Sequence, residues 1–276
     1  MSHLNLLFIG DIFGKPGRDL VRIGLRKLVE RHEVTAVIAN IENSAGGFGI
    51  TRDTAEELFA AGVDLATSGN HVWDKKEALD YLPLEPRIVR PANFPAGVPG
   101  NGSAIMRTSE GEEVAVLNLM GRVFMNAIDD PFSLGAREAA RLRARTPIVL
   151  VDMHAEATSE KIAMGWHLAG KVTAVVGTHT HVQTADDQIL PGGTAYITDV
   201  GMTGPHDGVI GVDRSSILQR FMTALPQRFE PATENPRLNA VLVDADEASG
   251  LATQITRVSL SANELDTLAA SVPATR

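Results

Sequence analysis

The sequence predicts an α/β fold, a sheet of short strands with helices packed on it. Three observations carry that prediction. Short β-branched apolar runs recur along the chain, helical periodicity lies between several of them, and each run ends in small, polar or ligand-capable residues. In sheets of this kind ligands bind beyond the carboxyl ends of the strands, so the run endings are also where a site is expected.

Residues 4–9 run into Gly10-Asp11, 35–41 into Glu42-Asn43, and 63–67 into Gly69-Asn70-His71. Residues 114–119 lead to Gly121-Arg122, 148–151 to Asp152-Met153-His154, and 172–176 to Gly177-Thr178-His179-Thr180-His181. Residues 194–198 lead to Asp199 and Gly201. A helix is expected over 17–31, where Leu20, Ile23, Leu28 and Val29 fall roughly on one face after Pro16. Residues 52–61, 134–145 and 157–169 carry similar patterns. The stretch 83–103 is rich in proline and glycine. With the β-like segment 103–108 and a turn at Glu110-Gly111, it predicts a small cap or insertion around 83–111 within one domain over 1–276. Beyond about 225, a charged loop gives way to strand-like segments 239–243 and 252–260, which read as an edge hairpin.

A chain of 276 residues buries a sizeable core. Its 25 basic against 34 acidic side chains leave a formal charge of −9, which disfavours a broad nucleic-acid surface, since such binding neutralises many phosphates. A small phosphorylated substrate stays compatible, because bound metal ions reverse the local sign. The chain has no cysteine, which excludes a disulfide scaffold, a thiolate zinc site and a cysteine nucleophile. No apolar run reaches the ~18–20 residues of a membrane span. The N-terminal apolar stretch is short and lacks a basic flank, so a cytoplasmic protein with no membrane partner is expected. A homo-oligomer is compatible with all of this.

Without thiolates, a metal site must be built from imidazole, carboxylate and amide oxygen, a set that suits zinc, manganese, iron or nickel. Asp11 and Glu42 offer charged oxygens, Asn43 and Asn70 neutral ones, and His154, His179 and His181 nitrogens. A glutamate at a strand end can reach two ions, and ions ~3.5–4 Å apart clamp both oxygens of a phosphoryl displacement. If the segment after 172–176 stays extended, His179 and His181 face the same way; a sharp turn between them would break that alternation. Taken singly, an Asp or Asn at a strand end is usually a turn former or cap. Seven such residues at successive strand ends are far harder to explain so. Gly10-x-x-x-Gly14-Lys15 is not a phosphate-binding loop, because only three residues separate its glycines and Pro16 stands where a metal-binding hydroxyl belongs.

At these same places the sequence resembles the calcineurin-like metallophosphoesterases, and within them the YmdB-like branch. The matching segments begin with Gly10-Asp11-Ile12-Phe13-Gly14-Lys15-Pro16-Gly17-Arg18, Glu42-Asn43-Ser44-Ala45-Gly46-Gly47 and Gly69-Asn70-His71-Val72-Trp73-Asp74. They continue with Asn118-Leu119-Met120-Gly121-Arg122 and Asp152-Met153-His154-Ala155-Glu156-Ala157-Thr158-Ser159-Glu160-Lys161. The last are Gly177-Thr178-His179-Thr180-His181-Val182 and Thr198-Asp199-Val200-Gly201-Met202-Thr203-Gly204-Pro205, so the resemblance covers residues 4 to about 213. Phe13 replaces the histidine of the wider superfamily's first motif, and Glu42-Asn43 stands where its second motif has Gly-Asp-x-x-Asp; both departures are features of the YmdB-like branch.

The resemblance implies a four-layer α/β/β/α sandwich and a phosphodiesterase acting on 2′,3′- or 3′,5′-cyclic nucleotides. It implies two metal ions, iron or manganese in first place and zinc or nickel as alternatives. Asp11, Glu42, Asn43 and His181 would hold the first ion, and Glu42 would bridge to a second held by Asn70, His154 and His179. A hydroxide bridging the ions would attack phosphorus, and His71 would protonate the departing oxygen. Arg122, at its own strand end, is a candidate substrate contact; Lys15, Arg18 and His206 lie near the motifs, and the sequence leaves open whether they reach the site. Two rivals stay open: a phosphomonoesterase or nuclease using the same ions, and a regulatory binding protein that keeps the fold.

Overall fold

The structure is a computed structural model and describes residues 3–268. The chain runs β1 (His3–Ile9), α1 (Gly14–His32), β2 (Ala36–Asn40), α2 (Arg52–Ala60), β3 (Leu65–Thr67), α3 (Ala78–Tyr81), β4 (Ser103–Arg107) and β5 (Glu113–Met120). It continues through α4 (Pro131–Arg143), β6 (Ile148–His154), α5 (Thr158–Leu168), β7 (Ala174–Thr178), β8 (Gln188–Leu190) and β9 (Thr194–Ile197). It ends with β10 (Gly204–Pro205), α6 (Arg214–Thr223), β11 (Pro236–Asp246), β12 (Ala252–Ser261) and α7 (Ala262–Thr267).

Two six-stranded sheets face each other, and the period-two alternation of their strands explains why. In β1, Leu4, Leu6 and Phe8 enter the core between the sheets, whereas Leu7 and Ile9 pack against helices outside. In β5, Val114 and Val116 point inward and Ala115, Leu117 and Leu119 outward. Strands apolar on both faces must be covered on both. Leu20, Leu25 and Leu28 of α1, Leu58 of α2 and Leu265 of α7 cover the first sheet. Leu142 of α4 and Met164 and Leu168 of α5 cover the second. The result is the α/β/β/α sandwich that the resemblance implied.

In the first sheet β1, β2 and β3 are parallel. In the second, β5, β6, β7 and β9 are parallel, with β4 and β8 antiparallel at the edges. The proline-rich stretch passes between the sheets: Ile88 bridges Ala66 of β3, and Val89 lies in the inter-sheet core before β4 begins.

Two sequence readings change. The segment expected as an edge hairpin is not at the edge in both its strands. β11 lies between β1 and β12, antiparallel to each, and only β12 forms the border. Its residues 238–243 are buried on both faces, the mark of an interior strand. The helix α6 arises where no element was expected. It buries Ile217 alone, while Leu218, Phe221 and Met222 stay exposed, so it carries no core-facing stripe to recognise. Among the described residues no helix is long and apolar enough to cross a membrane.

Candidate functional site

All eight residues singled out as ligands or proton donor stand at carboxyl ends of parallel strands. Asp11 follows β1, Glu42 and Asn43 follow β2, Asn70 and His71 follow β3, His154 ends β6, and His179 and His181 follow β7. The structure brings them together. His154 Nε2 lies 2.9 Å from Asn70 Oδ1 and 3.1 Å from both His179 Nδ1 and Glu42 Oε1. Glu42 Oε1 is also 3.4 Å from Asn43 Nδ2, which lies 3.2 Å from His181 Nε2, and that nitrogen is 3.9 Å from Asp11 Oδ1. Glu42 therefore touches both halves of the cluster. Its other oxygen accepts the backbone N–H of His71 at 2.9 Å.

Each imidazole is anchored on its outer side by an acceptor. His154 Nδ1 meets Thr178 Oγ1 at 2.9 Å, and that hydroxyl donates onward to Asp152 Oδ1 at 2.7 Å. His179 Nε2 meets Glu156 Oε2 at 3.1 Å, and His181 Nδ1 donates to the carbonyl of Ile210 at 2.9 Å. With the outer nitrogen carrying the hydrogen, each ring in its neutral form turns a lone pair inward. Asp11 Oδ1 and Asn43 Oδ1 are buried there too, with no hydrogen-bond partner. Buried acceptors without donors are costly, and a cation held there would satisfy them. The donor set fits a metal ion on chemical grounds: nitrogen and oxygen atoms, with carboxylate charge and no sulfur.

The titration behaviour points the same way. Burial opposes charge on Glu42, yet the neighbouring His154 imidazole and the His71 amide outweigh it and hold the carboxyl down at about 2. Burial also works against a charged His154, and Glu42, Asp11 and Asp152 overcome it and lift the ring to about 9. His179 is pushed down to about 3 by burial and by His154. Burial raises Asp11, and it pushes Asp152 up to about 7. The carboxylates thus favour a proton on His154, which an ion held there would displace.

The histidine loop is not an extended strand. β7 stops at Thr178, and His179 and His181 have φ of 96° and 65°, on the left-handed side that side-chain-bearing residues seldom adopt. The two rings reach different halves of the cluster through this turn, so the alternation considered from the sequence does not apply. A buried ion pair holds the turn. Asp199 Oδ2 accepts Thr180 N–H at 3.1 Å, Thr180 Oγ1–H at 2.6 Å and Lys161 Nζ at 2.7 Å, and both charged side chains are fully buried. Lys161→Met is expected to cost about 3 kcal/mol of stability, because one charge is left buried without its partner. Urea unfolding measures this, and an unchanged midpoint would show that the pair does not brace the loop.

Close approach is built in at Gly69, where a Cβ would stand 2.2 Å from His154 Nε2, so only glycine lets the chain pass the ring there. His71 sits beside the cluster with Nδ1 2.7 Å from Asp74 Oδ2, an orienting contact that the sequence motif contained without disclosing. The cluster opens into a cavity of about 430 Å³, lined also by Phe13, Phe48, Ile210, Arg220, Phe221 and Phe229. Arg122 is not among the lining side chains; its guanidinium faces Asp130 at 3.5 Å. Nor do Lys15, Arg18 or His206 line it. Lys15 pairs with Asp19, Arg18 pairs with Glu57 and donates to the Ser44 carbonyl, and His206 meets the Gly204 carbonyl. The signal for Arg220, Phe221 and Phe229 is absent from the sequence, since they lie far along the chain from every ligand.

Comparison with known proteins shows what the whole chain is similar to. The chain is 49% identical over 255 residues to a Bacillus subtilis protein named 2′,3′-cyclic-nucleotide 2′-phosphodiesterase, covering 92% of this chain and 96% of that one. A crystal structure of a Thermus thermophilus protein superposes with a TM-score of 0.87 at 40% identity, over 94% of this chain and 99% of that chain. A Mycoplasma pneumoniae protein described as a novel phosphatase superposes with a TM-score of 0.89 at 32% identity, over 95% and 94%. The family model described as YmdB-like protein matches residues 7–258, and the chain belongs to that family.

Proposed function

We propose that the protein is a metal-dependent phosphodiesterase that opens 2′,3′-cyclic nucleotides. One observation carries the metal dependence: three outward-anchored imidazoles converge with Glu42 and Asn70 on Asp11 Oδ1 and Asn43 Oδ1, which are buried without a hydrogen-bond partner. Asp11, Asn43 and His181 would hold one ion, Asn70, His154 and His179 a second, and Glu42 both. The name of the Bacillus subtilis relative supports the cyclic substrate. A net charge of −9 disfavours the nuclease alternative.

Such ions take up negative charge on the phosphoryl oxygens and make water acidic enough to attack near neutral pH. The chain's own residues do the rest. Asp152 and Thr178 fix the tautomer of His154, and Glu156 that of His179, so the cluster is preorganised. Water gives up a proton to solvent and adds to phosphorus as one bond from phosphorus to a ribose oxygen breaks. His71, oriented by Asp74 through Nδ1, presents Nε2 as the proton source for that oxygen.

A substrate panel tests the reading: 2′,3′- and 3′,5′-cyclic nucleotides, an aryl phosphodiester and phosphomonoesters, each with manganese, iron, zinc or nickel. Turnover of the 2′,3′-cyclic compounds that stops on chelation and returns with metal is the expected result. Hydrolysis of monoesters alone, or turnover unaffected by chelator, would overturn it.

A further inference from the structure

We infer that the base of the nucleotide stacks on an aromatic wall formed by Phe48 and Phe221, and that its edge is not read. The inference deepens the phosphodiesterase reading and rests on it. The cleft, at about 430 Å³, is larger than a phosphate needs and falls in the range of whole small-molecule sites, roughly 300–1,000 Å³. One end holds the ligand cluster. The rest is largely apolar and comes from two places: the glycine-flanked Phe48 behind Glu42-Asn43, and α6 with the chain around it.

Phe221 lines this cleft while remaining 74% exposed. A large ring left in water at the mouth of an anion site is the informative kind of exposure, because nothing in the fold requires it. Phe48 sits closer in. Its ring packs edge-on to His71 with centroids 5.1 Å apart, and against Phe13 at 6.4 Å, so its position relative to the proposed proton donor is fixed. Arg220 lines the same wall and lays its guanidinium 4.9 Å from the centroid of Phe229, offering one more flat face.

The polar side chains of the cleft outside the cluster are already engaged. Glu156 is taken by His179, and the Thr180 hydroxyl by Asp199. Among the described residues lining the cleft outside the cluster, that leaves Arg220, whose guanidinium is already laid against Phe229 and not turned to a base edge. Stacking on aromatic faces is tolerant of base identity, since every base presents a π-face. Purine and pyrimidine 2′,3′-cyclic nucleotides should therefore be accepted alike.

The test compares kcat/KM for 2′,3′-cyclic AMP and 2′,3′-cyclic CMP with that for ribose 2′,3′-cyclic phosphate, which has no base. Calorimetry of adenosine and cytidine binding runs in parallel. In the native protein both cyclic nucleotides should exceed the base-free compound by about 10-fold or more, and Phe221→Ala should shrink that advantage by about 10-fold, chiefly through KM. Nucleoside binding should weaken in the same variant. If cyclic nucleotides are cleaved but the base confers no advantage, or Phe221→Ala lowers all three substrates equally with a change of mass in light scattering, the subsite falls and α6 is an interface between copies. If cyclic nucleotides are not cleaved yet nucleosides bind through Phe221, the phosphodiesterase reading falls and the aromatic subsite stands.

Discussion

Glu42→Gln is expected to lose at least about 100-fold in activity and to lower metal content in both halves of the site together. The variant keeps the shape of the side chain and removes its charge. Residues that merely support metal ligands typically cost 10–100-fold on mutation, and Glu42 is placed to do more than support. Its Oε1 lies within 3.1 Å of His154 and 3.4 Å of Asn43, so it reaches both groups of ligands from a fully buried position. His181→Ala should behave differently, because its Nε2 faces only Asn43 and Asp11. Metal analysis of the two purified variants separates them. Full two-ion occupancy and native turnover in Glu42→Gln would count decisively against a shared ligand.

His71→Ala should keep its metals and lose about 10²–10⁴-fold in turnover on a cyclic nucleotide, the usual contribution of a positioned acid. The geometry separates its role from that of Asn70. Asn70 Oδ1 approaches His154, whereas the His71 ring turns away to Asp74 and the cleft. The loss should shrink on a nitrophenyl ester, whose leaving group departs without a proton. An equal loss on both substrates would make His71 a holder of phosphate, and loss of an ion would make it a ligand.

The parts of this protein that were legible in its sequence share a physical cause. Strands buried on both faces need unbroken apolar runs, so β1, β2, β5, β6 and β7 were readable from composition alone. Ligands at their ends were readable because a parallel sheet puts them on one edge. What escaped depends on tertiary placement. β11 looks like a border strand until its pairing with β1 is known, from Ile9 opposite Ala240 to His3 opposite Asp246. The groups that set imidazole tautomers, Thr178, Glu156 and the Ile210 carbonyl, have no periodic signature. The α6 helix defied the pattern because Ile217 is its one buried apolar side chain, while Leu218, Phe221 and Met222 stay exposed. His179 and His181 were recognisable as a pair, but the strained turn that parts them was not.

The pairing of β1 with β11 also governs how the protein comes into being on the ribosome. β1 leaves the ribosome well ahead of its partner, which is complete only at residue 246. At about 5–20 residues per second, roughly 10–50 s pass with one border of β1 unpaired. Any parallel pairing of β1 with β2 and β3 in that interval would leave an apolar edge of β1 open, the kind that recruits foreign strands. The distance along the chain between the two strands thus makes nascent protein, and not the finished enzyme, the form most in need of a chaperone.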